Sequence, residues 1–293
     1  MKMAFLILHY YTIEDTIKCI KSIKENMGNL EYTIVVVDNG SLNESGKKLA
    51  QKYEKDPKVH ILINKENLGF SKGNNIGFKY IKEHFQPDFI VMLNNDTVLL
   101  QKNFYSLVID EYAKSSFAVL GPKILLPNNK INPVQEKLPT VKSFKRTIFK
   151  MKIFYLLHLF YMYPLYEKIK FGIKKRSKKD LNFSLKNYNE NVDKRQENVV
   201  LHGCFLIFSK KYMDKFDGLD DRTFLYMEEK ILQSHLLQNK MLSVYNPNIV
   251  IYHNEDSSTK TITKTRRKKE LFILKNANKS AKILLKELKK MGD

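Results

Sequence analysis

The chain has 293 residues, 43% of them hydrophobic and 12% aromatic, a composition typical of a folded protein with a substantial core. Its formal net charge of +20 comes from two segments: residues 128–195 hold 17 Lys/Arg against 5 Asp/Glu, and residues 260–293 hold 12 against 3. The rest of the chain is close to neutral, so we expect these two segments to meet an anionic partner.

Hydropathy predicts neither a membrane span nor a leader. No run of about 18 uninterrupted apolar residues is present, so no transmembrane helix is predicted. The N-terminal stretch MKMAFLILHYYTIEDT has one basic residue, a short apolar run and no small-residue cleavage site, which predicts a first strand rather than a signal peptide. Cys19 and Cys204 lie far apart in apolar surroundings, which indicates buried thiols.

The first 121 residues alternate between strand-like and helix-like patterns. Apolar runs of strand length stand at residues 4–8, 33–38, 59–63, 89–93 and 117–121. Amphipathic stretches of helical period separate them, with Ser41 and Asn43 as suitable N-caps of the second helix. This alternation predicts an α/β fold with a mostly parallel sheet flanked by helices and joined by right-handed crossovers.

Polar side chains follow four of these strands where each strand ends. They are His9 to Thr12, Asp38 to Ser41, Asn64 to Gly69, and Asn94 to Asp96. Ligands of such sheets bind beyond the carboxyl ends of the strands, so these residues are predicted to form one site. No GxGxxG follows the first strand and GxxxxGK[ST] does not occur, which weighs against a dinucleotide-binding domain and a P-loop nucleotide hydrolase.

Residues 128–195 break the alternation. Basic clusters alternate there with aromatic and aliphatic residues, and the apolar stretch 153–166 is too short to span a bilayer. This pattern favours a helix, or a broken pair of helices, that lies at a membrane interface. The alternative is a helical hairpin that packs on the core and leaves its lysines in solvent.

Regular patterns return over residues 202–259. GCFLIF is predicted to be a strand, EEKILQSHLLQN a helix, and LSVY and NIVIYH two further short strands. The last 30 or so residues are predicted to form a basic helix.

Seven motifs occur in a characteristic order along the chain. They are YYT at residues 10–12, then VVVDNGS, NKENLGFSKGNNIG, LNNDT, GCFLIF, FDGLDDRTFLYMEE and YHNEDSS. In this order they resemble the inverting glycosyltransferase family 2, particularly its bacterial rhamnosyltransferase-like and capsular or O-antigen polysaccharide members. The resemblance covers residues 3–126 and 200–259, and it implies the GT-A fold, a Rossmann-like nucleotide-diphospho-sugar transferase fold.

The implied fold divides the chain into four parts. Residues 1–127 would form the nucleotide-sugar-binding half, and residues 128–195 a basic aromatic helical insertion that contacts membrane or acceptor. Residues 196–259 would form the acceptor-binding half with the catalytic base, and residues 260–293 a basic C-terminal helix.

The resemblance assigns donor-binding roles to residues at the strand ends. Asp38 would bind the nucleobase, with Thr12 in the loop that closes around the nucleoside. Asn67, Gly69 and Asn74 would shape the donor pocket, where glycine permits a close approach of the backbone.

The family's DxD metal motif corresponds to Asn94, Asn95 and Asp96, with Asn in place of the first Asp. Asp96 would therefore make most of the contact with the donor diphosphate and a divalent cation, Mn²⁺ or Mg²⁺, which oxygen ligands suit. His253 matches a family histidine that completes this metal or diphosphate site.

Glu228 and Glu229 stand where relatives have a Glu-Asp pair at the start of a helix. One carboxylate of that pair is the family's catalytic base, and matching the positions favours Glu229. A helix N-terminus stabilises an ionised carboxylate, which would keep the base ready to take a proton from an acceptor hydroxyl. A single displacement at the sugar would then invert its configuration.

The resemblance implies sugar transfer from a UDP- or dTDP-sugar to a lipid-linked or growing polysaccharide acceptor in bacterial cell-surface polysaccharide synthesis. The protein would be cytoplasmic and peripheral on the inner face of the cell membrane, where its basic segments meet anionic lipid. Two alternatives stay open: a degenerate transferase homologue that serves as a scaffold, and a basic nucleic-acid-binding protein. No nucleic-acid recognition motif is present, so nucleic acid is not the expected partner.

Overall fold

One mixed β-sheet organises the chain. The computed structural model describes residues 1–127, 130–134, 137–166, 168, 191–254 and 266–292, and within them the sheet has ten strands. The strands are β1 (Met3–His9), β2 (Tyr32–Asp38), β3 (Val59–Ile63), β4 (Phe89–Asn94), β5 (Thr97–Leu99), β6 (Val119–Leu126), β7 (Lys130–Ile131), β8 (Gln196–Glu197), β9 (Phe205–Ser209) and β10 (Ser243–His253). Their order is β3-β2-β1-β4-β9-β6-β10-β5, with β7 paired to β6 and β8 to β10.

The first four strands form the parallel half that the alternating pattern predicts. β1 lies between β2 and β4 and is parallel to both, and β3 continues beyond β2. His9 therefore lies opposite Asp38, and Leu8 lies opposite Asn94. This register brings the carboxyl ends of the strands to one edge. β9 enters antiparallel between β4 and β6 and joins the second half of the sheet to the first.

Helices cover both faces of the sheet. They are α1 (Ile13–Met27), α2 (Ser45–Tyr53), α3 (Phe70–Phe85), α4 (Phe104–Ser115), α5 (Val141–Leu159), α6 (Lys210–Met213), α7 (Glu228–Gln238) and α8 (Arg266–Lys290). Because successive strand residues point to opposite faces, β1 supplies both apolar layers. Phe5 packs in the layer that contains Ile20 of α1, and Leu6 packs in the layer that contains Phe78 of α3.

The strand prediction for LSVY and NIVIYH needs one correction. The two runs belong to a single strand, β10, with a register shift against β6 between Asn246 and Val250. Pro247 has no N–H to donate to the ladder, so the pairing is interrupted there and resumes as a bulge instead of ending the strand.

The predicted cap of α2 also shifts. Glu44, in the left-handed region with φ 61°, occupies the N-cap position and makes no capping hydrogen bond. Asn43 Oδ1 instead accepts from the Ser45 amide at 3.2 Å and from Ser45 Oγ at 2.7 Å. Ser41 Oγ accepts from the Tyr11 amide at 2.8 Å, so it joins two strand-end loops.

α5 and α8 form an antiparallel pair on the outside of the molecule. Phe144 near the start of α5 shares an apolar cluster with Leu284 near the end of α8. At the opposite end of the pair, Arg267 donates to the carbonyls of His158 and Leu159, at 2.8 and 3.0 Å. The basic insertion thus holds a helix that packs on the C-terminal helix. Of the helices in the described ranges, none combines the length and apolar character needed to cross a membrane.

Candidate active site

Asp38 is a buried carboxylate at the end of β2. Its Oδ1 accepts a hydrogen bond from the Ser41 amide at 3.3 Å and lies 4.0 Å from His9 Nε2. Burial raises the pKa of Asp38 and lowers the pKa of His9 to about 4, so the neighbouring imidazole is neutral at pH 7. A Cβ at Gly46 would lie 2.2 Å from Asp38 Oδ2, so the backbone of α2 holds the carboxylate in place.

Hydrogen bonds run along the strand ends from His9 to the turn after β4. His9 Nδ1 lies 2.6 Å from Thr16 Oγ1, and Asn95 Nδ2 donates to the same oxygen at 3.0 Å. Asn95 Nδ2 also lies 2.8 Å from Thr12 Oγ1. The structure therefore brings together Thr12, Asp38 and Asn95, which the sequence places more than 80 residues apart at the extremes.

Asn39, which the sequence placed among the strand-end residues without a role of its own, orders the loop of residues 64–69. Its Nδ2 donates to Asn67 Oδ1 at 3.1 Å and to the Gly69 carbonyl at 3.0 Å, while its Oδ1 accepts from the Leu68 amide at 3.1 Å. The side chain is buried, so these bonds replace contacts with water. Its position directly after Asp38 is the sequence feature that could have indicated this role, since an amide that both donates and accepts can bridge two strand-end loops.

Gly69 joins the strand-end edge of the sheet to the loop before α7. Its φ of 85° and ψ of −177° lie in a region essentially confined to glycine. A Cβ there would lie 2.3 Å from the Phe224 carbonyl oxygen, which accepts from the Phe70 amide at 2.8 Å. The close backbone approach expected at Gly69 is present, and the backbone that it approaches is that of the loop before α7.

Asn74 supports the first turn of α3 from within. Its side chain is buried, and Nδ2 donates to the Phe70 carbonyl at 3.0 Å. Its Oδ1 is buried and has no hydrogen-bond partner among the described residues. A role for Asn74 in the donor pocket stays a prediction.

The turn after β4 sets Asp96 against His253. β5 leaves that turn and pairs antiparallel with β10, which brings Thr97 opposite His253. His253 Nε2 lies 3.2 Å from Asp96 Oδ1, and both side chains are largely buried. His253 Nδ1 is buried with no hydrogen-bond partner in the described part of the chain. The Asp96 carboxylate and the His253 Nε2 beside it are ligand atoms that suit a divalent cation such as Mn²⁺, which these two residues would hold.

Glu228 and Glu229 begin α7 in different surroundings. Glu228 is buried, and Thr223 Oγ1 donates to its Oε1 at 3.2 Å. Burial, followed by the charge of Glu229, raises the pKa of Glu228 to about 7. Glu229 is only partly buried, and its Oε1 accepts from the Gly203 amide at 3.3 Å. Of the two, Glu229 has the exposure that a base acting on a substrate needs.

A cavity of about 950 Å³ lies in front of Glu229. Its lining includes Leu201, His202 and Lys230, together with residues 132–134. The His202 ring is 5.9 Å from the His253 ring, so the cavity adjoins the Asp96–His253 pair. The Asn94 amide donates to the Cys204 carbonyl at 2.9 Å, which fixes the turn after β4 to the segment beside Glu229.

A second group of potential metal ligands lies away from the strand ends. Asp220, His235 and Glu287 have ligand atoms within 4.8 Å of one another. Arg222 Nε donates to Asp220 at 2.8 Å and Arg222 Nη2 to Glu287 at 2.7 Å, and Lys290 Nζ donates to Glu287 at 2.9 Å. Two cations already pair with these carboxylates, so the group is an ion-pair network that joins α7 and α8 to the preceding loop.

Fold and site together define a class of protein. A buried aspartate at the end of β2, an Asp–His pair beside β4 and a glutamate that faces a cavity stand at the positions for which the resemblance predicts the site of a nucleotide-sugar transferase with the GT-A fold. The sequence profile of glycosyl transferase family 2 matches residues 6–216. The chain belongs to this family. No curated protein matches the chain.

Solved structures confirm the fold class. The S. aureus protein TarS, residues 1–349, has a TM-score of 0.53 and 11% identity over 98% of this chain and 70% of that chain. A second structure of S. aureus TarS has a TM-score of 0.54 and 12% identity, over 87% of this chain and 37% of that chain. The structure of GalNAc-T7 with UDP, GalNAc and Mn²⁺ has a TM-score of 0.57 and 11% identity, over 88% of this chain and 44% of that chain. At these identities the likeness shows the fold alone, and the chain spans less than half of the last two proteins.

Proposed function

We propose that this protein is an inverting, divalent-cation-dependent glycosyltransferase. It transfers a sugar from a UDP- or dTDP-sugar to a lipid-linked or growing polysaccharide acceptor in bacterial cell-surface polysaccharide synthesis. The observation that carries the proposal is the continuity of the site. Asp38 at the end of β2 is linked to Asn95 after β4 through His9 and Thr16. The cavity that Glu229 faces adjoins Asp96.

The donor would lie along the strand ends. Asp38, held by the Ser41 amide and the backbone of α2, would accept hydrogen bonds from the nucleobase. Asp96 and His253 would hold the cation, which when bound neutralises charge on the departing diphosphate. Loop 64–69, ordered by Asn39, would form the wall of the donor pocket.

The acceptor would enter the cavity with its hydroxyl toward Glu229. Glu229 takes the hydroxyl proton while the oxygen attacks the anomeric carbon of the donor sugar. The bond from that carbon to the diphosphate oxygen breaks, and the electron pair leaves with the nucleoside diphosphate. One displacement on the face opposite the leaving group inverts the anomeric configuration. The Gly203 amide, 3.3 Å from Glu229 Oε1, keeps the carboxylate oriented.

The charge distribution supports a lipid-linked acceptor. Both basic segments contribute a helix to the α5–α8 pair, and that pair shares an apolar cluster with Ile231 of α7, the helix that begins with Glu229. Anionic headgroups and an acceptor diphosphate are the partners that such segments attract. We place the protein peripherally on the inner face of the cell membrane.

Calorimetry with a panel of nucleoside diphosphates and their sugars, with and without Mn²⁺, tests the proposal. We expect one nucleotide to bind in a Mn²⁺-dependent manner, and Asp96→Ala to weaken this binding about tenfold or more, since it removes a charged ligand. Glu229→Gln is the matched control. It should bind the donor as the wild type does and lose about 10²–10⁴-fold in transfer rate.

Two outcomes would contradict the proposal. If the folded wild type binds no nucleotide, the scaffold alternative is favoured. If Glu229→Gln loses donor binding as much as Asp96→Ala does, Glu229 belongs to the donor site and another group must act as the base.

A further inference from the structure

The solvent-facing side of α5 is basic in its first half and apolar in its second. At 100° per residue, one stripe of the helix carries Lys142, Arg146, Phe149, Ile153, Leu156 and, just past the last turn, Phe160. The two phenylalanines are 65% and 66% exposed, and Ile153 and Leu156 are 39% and 49% exposed. Lys145 and Lys152 flank the stripe and are also exposed.

The apolar half of this stripe is continuous with the residues that follow it. Tyr161, Met162 and Leu165 are 72%, 50% and 54% exposed. Meanwhile the opposite side of α5 packs on α8 through Phe144 and Ile148. The helix already has a buried apolar face, so this second apolar surface is not needed for its own packing. Contiguous exposed apolar surface of this kind marks an interaction site.

α8 carries a ridge of cations along its exposed side. Exposed lysines recur every three or four residues along one side of the helix, at Lys275, Lys279, Lys282, Lys286 and Lys289. α5 itself contains no Asp or Glu. Of the two glutamates of α8, Glu287 is buried and pairs with Arg222 and Lys290, and Glu270 lies about 140° around the helix from the ridge, so neither offsets the ridge.

We propose that the outer face of the α5–α8 pair docks on a bilayer that contains anionic lipid. The four apolar residues of the stripe, from Phe149 to Phe160, enter the boundary between headgroups and acyl chains, and the flanking lysines and Arg146 contact the headgroups. A bilayer fits because cationic and apolar residues share the exposed side of α5, a helix that contains no acidic residue. This inference deepens the membrane-bound part of the proposed function, since the docked pair packs directly on α7.

Vesicle sedimentation tests the docking surface. We compare phosphatidylcholine vesicles with vesicles that also contain phosphatidylglycerol, at physiological salt. The charge variant combines Lys142→Gln, Lys145→Gln, Arg146→Gln and Lys152→Gln, and the apolar variant combines Phe149→Ser and Leu156→Ser. The wild type should bind the anionic vesicles. The charge variant should weaken binding more than about 100-fold and the apolar variant about tenfold or more.

Matched controls carry the same changes elsewhere on the surface. The charge control combines Lys52→Gln, Lys55→Gln, Lys102→Gln and Lys114→Gln, and the apolar control combines Leu30→Ser and Leu100→Ser, all at exposed positions. Both controls should bind vesicles like the wild type. Equal weakening in variants and controls would overturn the proposal, because it would show a general effect of charge or apolar surface.

A reporter measures insertion directly, because the chain has no Trp. Phe149→Trp should show a blue-shifted emission on anionic vesicles, and Leu100→Trp should show none. Absence of the shift would overturn bilayer docking. If the wild type self-associates without vesicles and the apolar variant does not, bilayer docking is also overturned, in favour of docking on a second copy of the chain. Nucleotide binding is measured on every variant. If nucleotide binds but vesicles do not, the docking inference alone fails, whereas absence of nucleotide binding in the wild type is a failure of the proposed function.

Discussion

Glu228 and Glu229 show how neighbouring residues of one chemical type acquire different properties. Successive residues of a helix point about 100° apart, so one carboxylate turns inward to Thr223 while the other turns toward Gly203 and the cavity. The sequence places both at a helix start, and the resemblance favours Glu229. Only the packing around the helix shows which one reaches the open side.

The buried Glu228 predicts a measurable pH dependence of stability. Its pKa in the folded protein is about 7, above the ordinary value of 4.5, mainly because burial disfavours the charged form. The protonated Glu228 therefore contributes its full stabilisation of the folded protein below pH 4.5, and this contribution is lost as the pH rises through 7. Relative to the wild type, Glu228→Gln should gain up to about 3 kcal/mol in free energy of unfolding between pH 4.5 and pH 8.

Urea unfolding at a series of pH values checks this expectation. Glu54→Gln, at an exposed position, should follow the wild-type curve throughout. A difference between Glu228→Gln and the wild type that does not change with pH would show that Glu228 titrates normally.

Asp96 and His253 illustrate what residue patterns alone do not reveal. Asp96 follows a recognisable buried strand, so its place at the sheet edge could be predicted from alternation. His253 is 157 positions further along, and the antiparallel pairing of β5 with β10 brings it within 3.2 Å of Asp96. No local pattern encodes that pairing, and the family resemblance, not the periodicity, selected His253.

At the scale of elements, the loop of residues 64–69 depends on a side chain from a different strand end. Asn39 is buried and makes hydrogen bonds to both backbone and side-chain groups of this loop. Loops that lack their own regular hydrogen bonds need such partners, because an unsatisfied buried polar group costs about 1–3 kcal/mol. The loop is therefore ordered by β2, not by its own sequence.

Asn39→Ala should loosen this loop. We expect a loss of about 2–4 kcal/mol in unfolding free energy, since several buried groups lose their partner, and a loss of nucleotide affinity of about tenfold. Urea unfolding, calorimetry and hydrogen exchange of the amides of residues 64–69 provide the measurements. Asn26→Ala, which removes hydrogen bonds to Ser22 and Leu99 far from the loop, should destabilise without changing nucleotide affinity. Unchanged exchange in the loop of Asn39→Ala would refute the role assigned to Asn39.

At the scale of the whole molecule, an ion-pair network connects the C-terminal helix to the rest of the fold. Glu287 of α8 is buried and accepts from Arg222 and Lys290, and Arg222 also pairs with Asp220. Ser280 Oγ of the same helix donates to the Leu225 carbonyl at 2.9 Å. The loop before α7 is thus held by Gly69 on one side and by α8 on the other.

Glu287→Gln should weaken the docking of α8. Because Glu287 is buried while Arg222 is nearly half exposed, we expect a moderate loss of about 1–3 kcal/mol in unfolding free energy, with faster hydrogen exchange in α8. Glu25→Gln, which breaks an exposed pair with Lys21, should cost less than about 0.5 kcal/mol. Equal losses in the two variants would mean that the Glu287 network contributes no more than a surface pair.

The sequence by itself determined the α/β class, the first four parallel strands, the helix that begins at Glu228 and the basic C-terminal helix. These features follow from hydrophobic periodicity, which is local. The tertiary structure decided the insertion of β9 between β4 and β6, the single bulged strand β10 and the partners of Asn39 and Gly69. These depend on contacts between residues far apart in the chain, which sheet register and packing fix and local periodicity does not record.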